Sequence, residues 1–434
     1  MSEPLGIALI GCGVVGGGVA KLLLEQADRL AQRAGRPLSL RKVIVRDPKK
    51  ARAADLPAGM IATDPAAAFA DPSVHVVCEL MGGTTIAKTH ILAALAADKH
   101  VVTANKALLA EAGAELFDAA RAAGRVICFE AAVAGGVPII RALGESLSAN
   151  QVTSIQAILN GTSNFILTAM ADTGMKYPDA LKEAQRLGYA EADPTLDVDG
   201  SDAAHKLAVL AQIAFGVAAR PHEIEREGID KIDANDIKFA NELGYTIKLL
   251  AEAWSDGEQV ALHVAPVMVR KTDMLAQVRG AYNAIQVIGD VVGETLYQGP
   301  GAGMMPTASS VMADIIDIAV GRAQKTFAAA KLWSANGRGF TVTPSERVRS
   351  RFYLRLMVAD QPGSLADVCR SLADHDISIS SVIQHEAAEG NPEQAVPLVI
   401  MTHYAETGKF RAAVKAIAGM KGVRVPPVAY SVDD

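Results

Sequence analysis

The sequence predicts an α/β protein of three domains, the first a doubly wound parallel sheet. Three observations carry that expectation. Short apolar runs alternate with Ala/Leu-rich helical stretches over residues 1–136. A glycine fingerprint, Gly11-Cys12-Gly13-Val14-Val15-Gly16, lies between the first run and the first helical stretch. After residue 350 an alternating apolar pattern starts afresh.

The first domain follows from its runs. Residues 7–10, 42–45, 74–79, 101–103 and 126–129 are continuously apolar or nearly so, as strands buried on both faces are. Residues 19–34, 86–97 and 110–123 between them read as helices. Such alternation argues a parallel sheet with helices on its faces. Pro138 follows AAVAGGV where its fixed φ suits a first helical turn, which sets the first boundary at residue 136. Residues 137–340 mix long helices with β-rich stretches at 152–159 and 260–269, an α+β pattern. Charged and small residues at 338–349 read as a linker. A third domain at 350–434 then opens with an alternating strand at 352–358, a helix at 365–375 and further strands.

Composition narrows the function. Half of the 434 residues are hydrophobic and the formal net charge is −6, an ordinary globular balance. Lys and Arg are scattered, so no basic face for nucleic acid is expected. No run approaches the roughly 18–20 apolar residues of a membrane helix, and the N-terminus lacks the basic start of a signal peptide. Cys12, Cys78, Cys128 and Cys369 form no CxxC pair or zinc pattern, which fits small apolar side chains in a reducing cytoplasm. No further domain is expected ahead of a fingerprint that begins at residue 11.

The fingerprint has the context that dinucleotide binding requires: a strand before it and a helix after it. Gly11, Gly13 and Gly16 allow a tight turn and close approach to a pyrophosphate. Val14 and Val15 open a helix whose free N–H groups favour the phosphates. The first domain is thus Rossmann-type. The second strand ends at Val45, where an acid would hold the ribose hydroxyl of NAD(H). Here Arg46 comes first, suited to the 2′-phosphate of NADP(H), and Asp47 follows, so NADP(H) is preferred and NAD(H) stays open. Lys49 and Lys50 read as a solvated loop.

Three motifs are dense in polar residues. Thr103-Ala104-Asn105-Lys106 lies at the carboxyl end of a strand, the end at which open α/β sheets bind ligands. Asn160-Gly161-Thr162-Ser163-Asn164 follows the apolar run at 155–159. Gly188-Tyr189-Ala190-Glu191 runs on through Asp193, Asp197, Asp199 and Asp202 to His205-Lys206, placing five acids between Glu191 and Asp202. Asp202 and Lys206 are four apart on one helical face. Two readings of that pair stand. It is either a solvated ion pair answering the helix dipole, or an acidic mouth with one lysine for a substrate bearing an ammonium and a carbonyl. His205 points about 100° away on the helix, and the nine histidines form no triad or metal spacing.

GCGVVGGG, TANKALLA, LNGTSNFIL, GYAEADPTLDVDGSDAAHKL, Ile224-Glu225-Arg226-Glu227-Gly228-Ile229 and GPGAGMMPTASSVMADI occur in order. Together they resemble homoserine dehydrogenase from Gly11 to Ile315. The resemblance implies an enzyme that interconverts L-aspartate 4-semialdehyde and L-homoserine. It implies Lys206 as proton donor, with Asp202 holding it and contacting substrate, and Lys106 as a second catalytic lysine bridging cofactor and substrate. Glu191 would bind homoserine with Asp197 nearby. Gly13, Val14, Thr103, Gly188 and Gly303 would line the cofactor. The family's monovalent cation, usually sodium, would match Glu130, Val133, Gly135 and Val137, a stretch that also reads as a simple glycine turn. The second domain would then be catalytic and dimerising, and the protein a homodimer or homotetramer.

The last domain resembles the ferredoxin-like ACT domain, on the Asp360-Gln361-Pro362-Gly363 turn between a strand and a helix, with Gln384 after the next strand. The resemblance implies L-threonine as effector; a domain that only dimerises is the alternative. Rival readings are a dehydrogenase working through a cysteine thioester, one acting at an α-carbon, and a non-catalytic NADP sensor. Cys128 has neither a base nor a polar neighbour in sequence, and a sensor has no need of Lys106, Asp202 and Lys206 together.

Overall fold

The computed structural model describes residues 3–333, 340–384 and 395–433. Arg338, in the expected linker, lies outside the described residues; Arg349, at the far end of that stretch, already begins a strand.

The first sheet is the predicted parallel one. Its strands are β1 (Leu5–Ile10), β2 (Leu38–Ile44), β3 (Ile61–Ala62), β4 (Val76–Glu79), β5 (His100–Thr103) and β6 (Ile127–Cys128). They lie in the order β3-β2-β1-β4-β5-β6, all parallel. The order reverses between β1 and β4, the switch point at which such sheets bind nucleotides. Every residue of β1 and β4 is buried, which is why their sequences run apolar rather than alternate.

The chain returns to this domain late. The helix Met304–Ala319 packs on the helix Val14–Glu25, and Ala308, Val311, Met312, Ile315 and Ile318 share one core with β1 and β2. Gly18 permits the crossing, since a Cβ there would lie 2.9 Å from Met304 and 3.0 Å from Ala308. The first core is therefore built from two separated segments.

The rest forms one sheet. Its strands are β7 (Val152–Ile158), β8 (Glu225–Arg226), β9 (Tyr245–Asp256), β10 (Gln259–Arg270), β11 (Tyr282–Gly289), β12 (Gly293–Pro300), β13 (Thr341–Val342), β14 (Arg349–Ala359), β15 (Ile379–Gln384), β16 (Ala395–Thr402), β17 (Ala405–Glu406) and β18 (Val428–Asp433). The path is β12-β11-β7-β9-β10-β18-β14-β16-β15. Strands β14 to β18, with the helices Ser364–Asp374 and Thr407–Ala418, make the ferredoxin-like C-terminal domain. Its last strand, β18, pairs in parallel with β10, so its sheet continues the middle domain's. A buried ion pair reinforces the junction: Arg355 donates from both sides of its fork to Asp236, 2.9 Å at one contact, and Asp236 is fully buried. Among the described residues no single helix is long and apolar enough to cross a membrane.

Candidate active site

Two helices from different domains bring three charged side chains together. The helix Ser201–Phe215 follows Gly200, left-handed at φ +84°, and just ahead of it the Asp199 carboxylate accepts the Ser201 N–H at 2.8 Å and its hydroxyl at 2.9 Å. Within its first two turns Asp202 and Lys206 share a face. Lys206 Nζ donates to Asp202 Oδ2 at 2.7 Å and to the carbonyl of Leu159, just past β7, at 2.6 Å. From the first domain, Lys106 opens the helix Lys106–Ala122 and places its Nζ 3.0 Å from Asp202 Oδ1.

Burial removes the solvated reading of this pair. The Asp202 and Lys206 side chains keep 12% and 11% of their exposure, so the pair is not a solvated one, while Lys106 stays one-third open. Burial pushes the Lys206 ammonium below the usual lysine value; Asp202 opposes that shift and Lys106 reinforces it. For Asp202, burial alone would raise the pKa. The two ammonium groups and the hydrogen bonds from Lys206 and Asn160 outweigh it and hold the carboxyl well below the usual range.

Asn160 binds the acids to the backbone. Its Nδ2 donates to Asp197 Oδ1 at 2.8 Å and to Asp202 Oδ2 at 2.9 Å. Its Oδ1 accepts the Ser163 N–H at 2.8 Å and caps the helix Gly161–Thr173. Glu191 sits exposed on the loop beyond the helix Tyr177–Arg186, and Gly188, left-handed at φ +78°, ends that helix.

A cavity of about 1040 Å³ opens at the carboxyl ends of β1, β2 and β4. Gly11, Gly13, Val14, Arg46 and Asp47 line it, together with Lys50 and Arg52. Gly11 turns at φ +97°, and a Cβ on Gly16 would come within 2.2 Å of the Gly11 carbonyl oxygen, so helix and turn meet backbone to backbone. The helix Val14–Glu25 has no side-chain cap, which leaves its first N–H groups for a ligand. Arg52 arches over the loop, donating to the carbonyls of Asp47, Pro48 and Lys50, while its buried Nε has no partner. These features fit a dinucleotide with its phosphates on the turn. Gly303 is the residue before the helix Met304–Ala319, and Met304 lines the cavity.

Beside the cavity, fully buried Glu79 fastens two loops. Its Oε2 accepts the Thr103 hydroxyl at 2.7 Å, and its Oε1 accepts the Met81 and Gly82 N–H groups at 3.0 and 3.2 Å. Asn105 completes the clamp by donating to the Gly83 carbonyl at 2.7 Å and capping the helix that carries Lys106. The Thr103 hydroxyl thus serves to place Lys106. Neither Glu79 nor Arg52 stood out in the sequence.

On the loop 130–137, Glu130 is buried and accepts the N–H groups of Ile140 and Arg141, each at 3.0 Å. Arg141 Nε lies 3.7 Å away and pairs with Asp317 at 2.8 Å, while its Nη2 pairs with Asp314 at 2.9 Å. Burial pushes Glu130 up to about 6, with Arg141 and the two N–H groups opposing. The Gly135 carbonyl accepts the Ser310 hydroxyl at 2.6 Å, and the Val137 carbonyl accepts the Ile139 N–H at 2.8 Å. The thioester rival needs a thiolate, and burial first, then Asp314 and Asp317, push the Cys128 thiol up, away from that form.

The family models described as homoserine dehydrogenase and as homoserine dehydrogenase, NAD binding domain, match residues 138–316 and 11–130. An ACT domain model matches residues 352–419. The chain is 43% identical to a homoserine dehydrogenase of Neisseria gonorrhoeae, covering 98% of this chain and 97% of that one. It is 41% identical to that of Pseudomonas aeruginosa, covering 99% of each. The solved homoserine dehydrogenase of Thiobacillus denitrificans superposes with a TM-score of 0.91 at 41% identity, covering 100% of this chain and 99% of that one. A hyperthermophilic archaeal homoserine dehydrogenase in complex with NADPH superposes with a TM-score of 0.61 at 28% identity, over 72% of this chain and 97% of that one. The chain belongs to the homoserine dehydrogenase family of nicotinamide-dependent oxidoreductases and carries a C-terminal ACT domain.

Proposed function

We propose that this protein reversibly reduces L-aspartate 4-semialdehyde to L-homoserine with NADPH, in the route to threonine, methionine and isoleucine, and that Lys206 supplies the proton. The observation that carries this reading is the buried Lys206 ammonium, fixed by Asp202 on one side and the Leu159 carbonyl on the other. Two of its three N–H bonds are committed, and the third is left for the aldehyde oxygen. A bound nicotinamide supplies the hydride. As the oxygen gains charge, Lys206 gives it a proton, and burial makes that transfer easier. Lys106 holds the other oxygen of Asp202 and steadies the pair across the domain junction. Glu191 is assigned to the substrate ammonium, with Asp197, Asp202 and Lys206 completing the substrate site. Gly11, Gly13, Val14, Val15, Gly16, Thr103, Lys106, Gly188 and Gly303 are assigned to the cofactor, with Arg46 and its neighbour Arg52 facing a 2′-phosphate. Oxidation of L-homoserine, followed by absorbance with NADP and NAD in parallel, tests the reading. Turnover preferring NADP supports it, and no turnover with either moves the sensor reading to first place.

The cation at Glu130, Val133, Gly135 and Val137 belongs to the same proposal. The set offers only oxygen donors, which suits a hard monovalent ion, and a carbonyl that accepts one hydrogen bond keeps a second lone pair. Arg141 is the competing charge. Melting in sodium chloride against choline chloride checks it: a higher Tm in sodium supports the site, and equal values remove it.

L-Threonine as effector is supported by a cavity of about 920 Å³ between the helix Thr407–Ala418 and the 224–231 stretch, with Arg411, Lys415, Glu227 and Asp230 on its walls. That stretch also reaches the active site, since the Ile229 N–H donates to the Val198 carbonyl at 2.9 Å, three residues before Ser201. Suppression of homoserine oxidation by threonine would establish the role. Self-assembly into a dimer or tetramer is supported by the edge strand β12 and the exposed Tyr282, Val291 and Val292, and cytoplasmic placement by four free cysteines.

A further inference from the structure

The carbonyl that holds Lys206 is itself held from an unexpected direction. Strand β7 ends at Ile158, so the ladder does not fix the Leu159 carbonyl that follows. The register between β11 and β7 sets Asn283 beside it, and Asn283 Nδ2 donates to the Leu159 oxygen at 2.9 Å. That oxygen therefore receives two donors, Asn283 at 2.9 Å and Lys206 at 2.6 Å. Asn283 is 1% exposed, and its own Oδ1 is buried with no hydrogen-bond partner. A side chain that leaves its acceptor idle is present for its donor. Gly301 makes room for the carboxamide, since a Cβ there would lie 2.1 Å from Asn283 Cγ.

We propose that Asn283 is a positioning residue for the proton donor: by aiming the Leu159 carbonyl, it sets the direction of the Lys206 N–H bond left for substrate. The proposal rests on Lys206 being that donor. Lys206 is faced by Asp202 on its own helix, by Lys106 from the first domain and by Asp197 from the short helix Thr195–Val198. Asn283 adds no charge to this set. It takes up one lone pair of an oxygen that would otherwise serve the ammonium alone. A misaimed proton donor slows the chemical step more than it weakens binding.

The test uses the full-length chain and the variants Asn283→Ala and Asn283→Asp, each checked for melting temperature and NADPH binding. Asn283→Ala is expected to lower kcat for homoserine oxidation about tenfold or more, with the homoserine KM within about twofold. Asn283→Asp places a carboxylate by the same carbonyl. Its acid limb, below which oxidation fails because Lys206 holds its proton, is expected to move up by about half a pH unit or more. The wild type and Lys206→Ala are run alongside. A wild type inactive on homoserine, or a normal Lys206→Ala, overturns the donor reading itself. With those two as expected, the Asn283 proposal is overturned if Asn283→Ala keeps wild-type kcat or the Asn283→Asp limb stays in place. It is also overturned if both variants lose folding or cofactor binding, which would make Asn283 a structural residue.

Discussion

Asp202 stands between two lysines of different domains, its Oδ2 accepting from Lys206 at 2.7 Å and its Oδ1 lying 3.0 Å from Lys106. One carboxylate thus ties the nucleotide-binding domain to the helix Ser201–Phe215 and supplies the counter-charge for a buried ammonium. Asp202→Asn keeps the shape and removes the charge. The burial that lowers Lys206 then acts unopposed, so its pKa falls further. In homoserine oxidation, where neutral Lys206 accepts the hydroxyl proton, the acid limb should move to lower pH. At its plateau kcat should fall about 100-fold, because the lysine that gains the proton has lost its counter-charge. A limb that moved upward would contradict the electrostatic role given to Asp202.

The proposed preference for NADPH rests on Arg46 more than on Asp47. Both line the cavity, but the Asp47 carboxylate already accepts the Lys49 N–H at 2.8 Å. Arg46→Ala should raise the KM for NADPH about tenfold and leave that for NADH within about twofold, since a charge-assisted contact to a phosphate is lost from one cofactor only. Equal effects on both cofactors would return the ribose end to Asp47.

Much of this site was legible in the sequence, and the remainder has a common character. The turn at Gly11–Gly16 and the Asp202–Lys206 pair are local: a strand, a turn and a helix suffice to place them. Glu79 is not legible, because it sits in an apolar run and only the fold shows it fastening Thr103 and Met81. Asn283 reaches Leu159 across 124 residues, and nothing near either hints at the other. The return of Met304–Ala319 to the first core is hidden for the same reason, since its apolar face does not reveal which sheet it meets. The union of β18 with β10 is made by backbone hydrogen bonds, which any pair of open strand edges can form.

The junction between the middle and last domains offers a stability test. Asp236 is fully buried and accepts from Arg355 as well as from the Tyr353 hydroxyl at 3.2 Å. Arg355→Leu strands that carboxylate and should destabilise the chain by about 3–5 kcal/mol. Adding Asp236→Asn should recover part of the loss. Chemical denaturation of both variants reads the difference; a loss under about 1 kcal/mol would show the junction to be held by the β18–β10 pairing alone.

Lys248 makes a pH prediction in the same region. It is buried, donates to Asn164 Oδ1 at 3.0 Å and to the Val278 carbonyl, and burial pushes its pKa down from 10.5 to about 8, with nearby Arg279 adding to the effect. Below pH 8 both folded and unfolded chains hold the proton and the full penalty of burying the ammonium is present. Between about 8 and 10.5 the unfolded chain holds a proton that the folded chain has released, so this contribution to stability rises with pH. Relative to Lys248→Met, which does not titrate, the wild type should gain on the order of 3 kcal/mol across that window. Denaturant midpoints at pH 7.5 and pH 10.5 measure the gain, and a flat difference would place the ammonium in contact with water.

The most direct test of the central claim is Lys206→Ala, assayed for homoserine oxidation beside the wild type, with NADPH affinity measured separately. The expected result is a fall in kcat of more than about 100-fold, with NADPH binding within about twofold of wild type, because the residue is assigned to the reacting oxygen and not to the nucleotide. Turnover near the wild-type rate would contradict Lys206 as the proton donor and, with it, the reason given for its burial between Asp202 and Leu159.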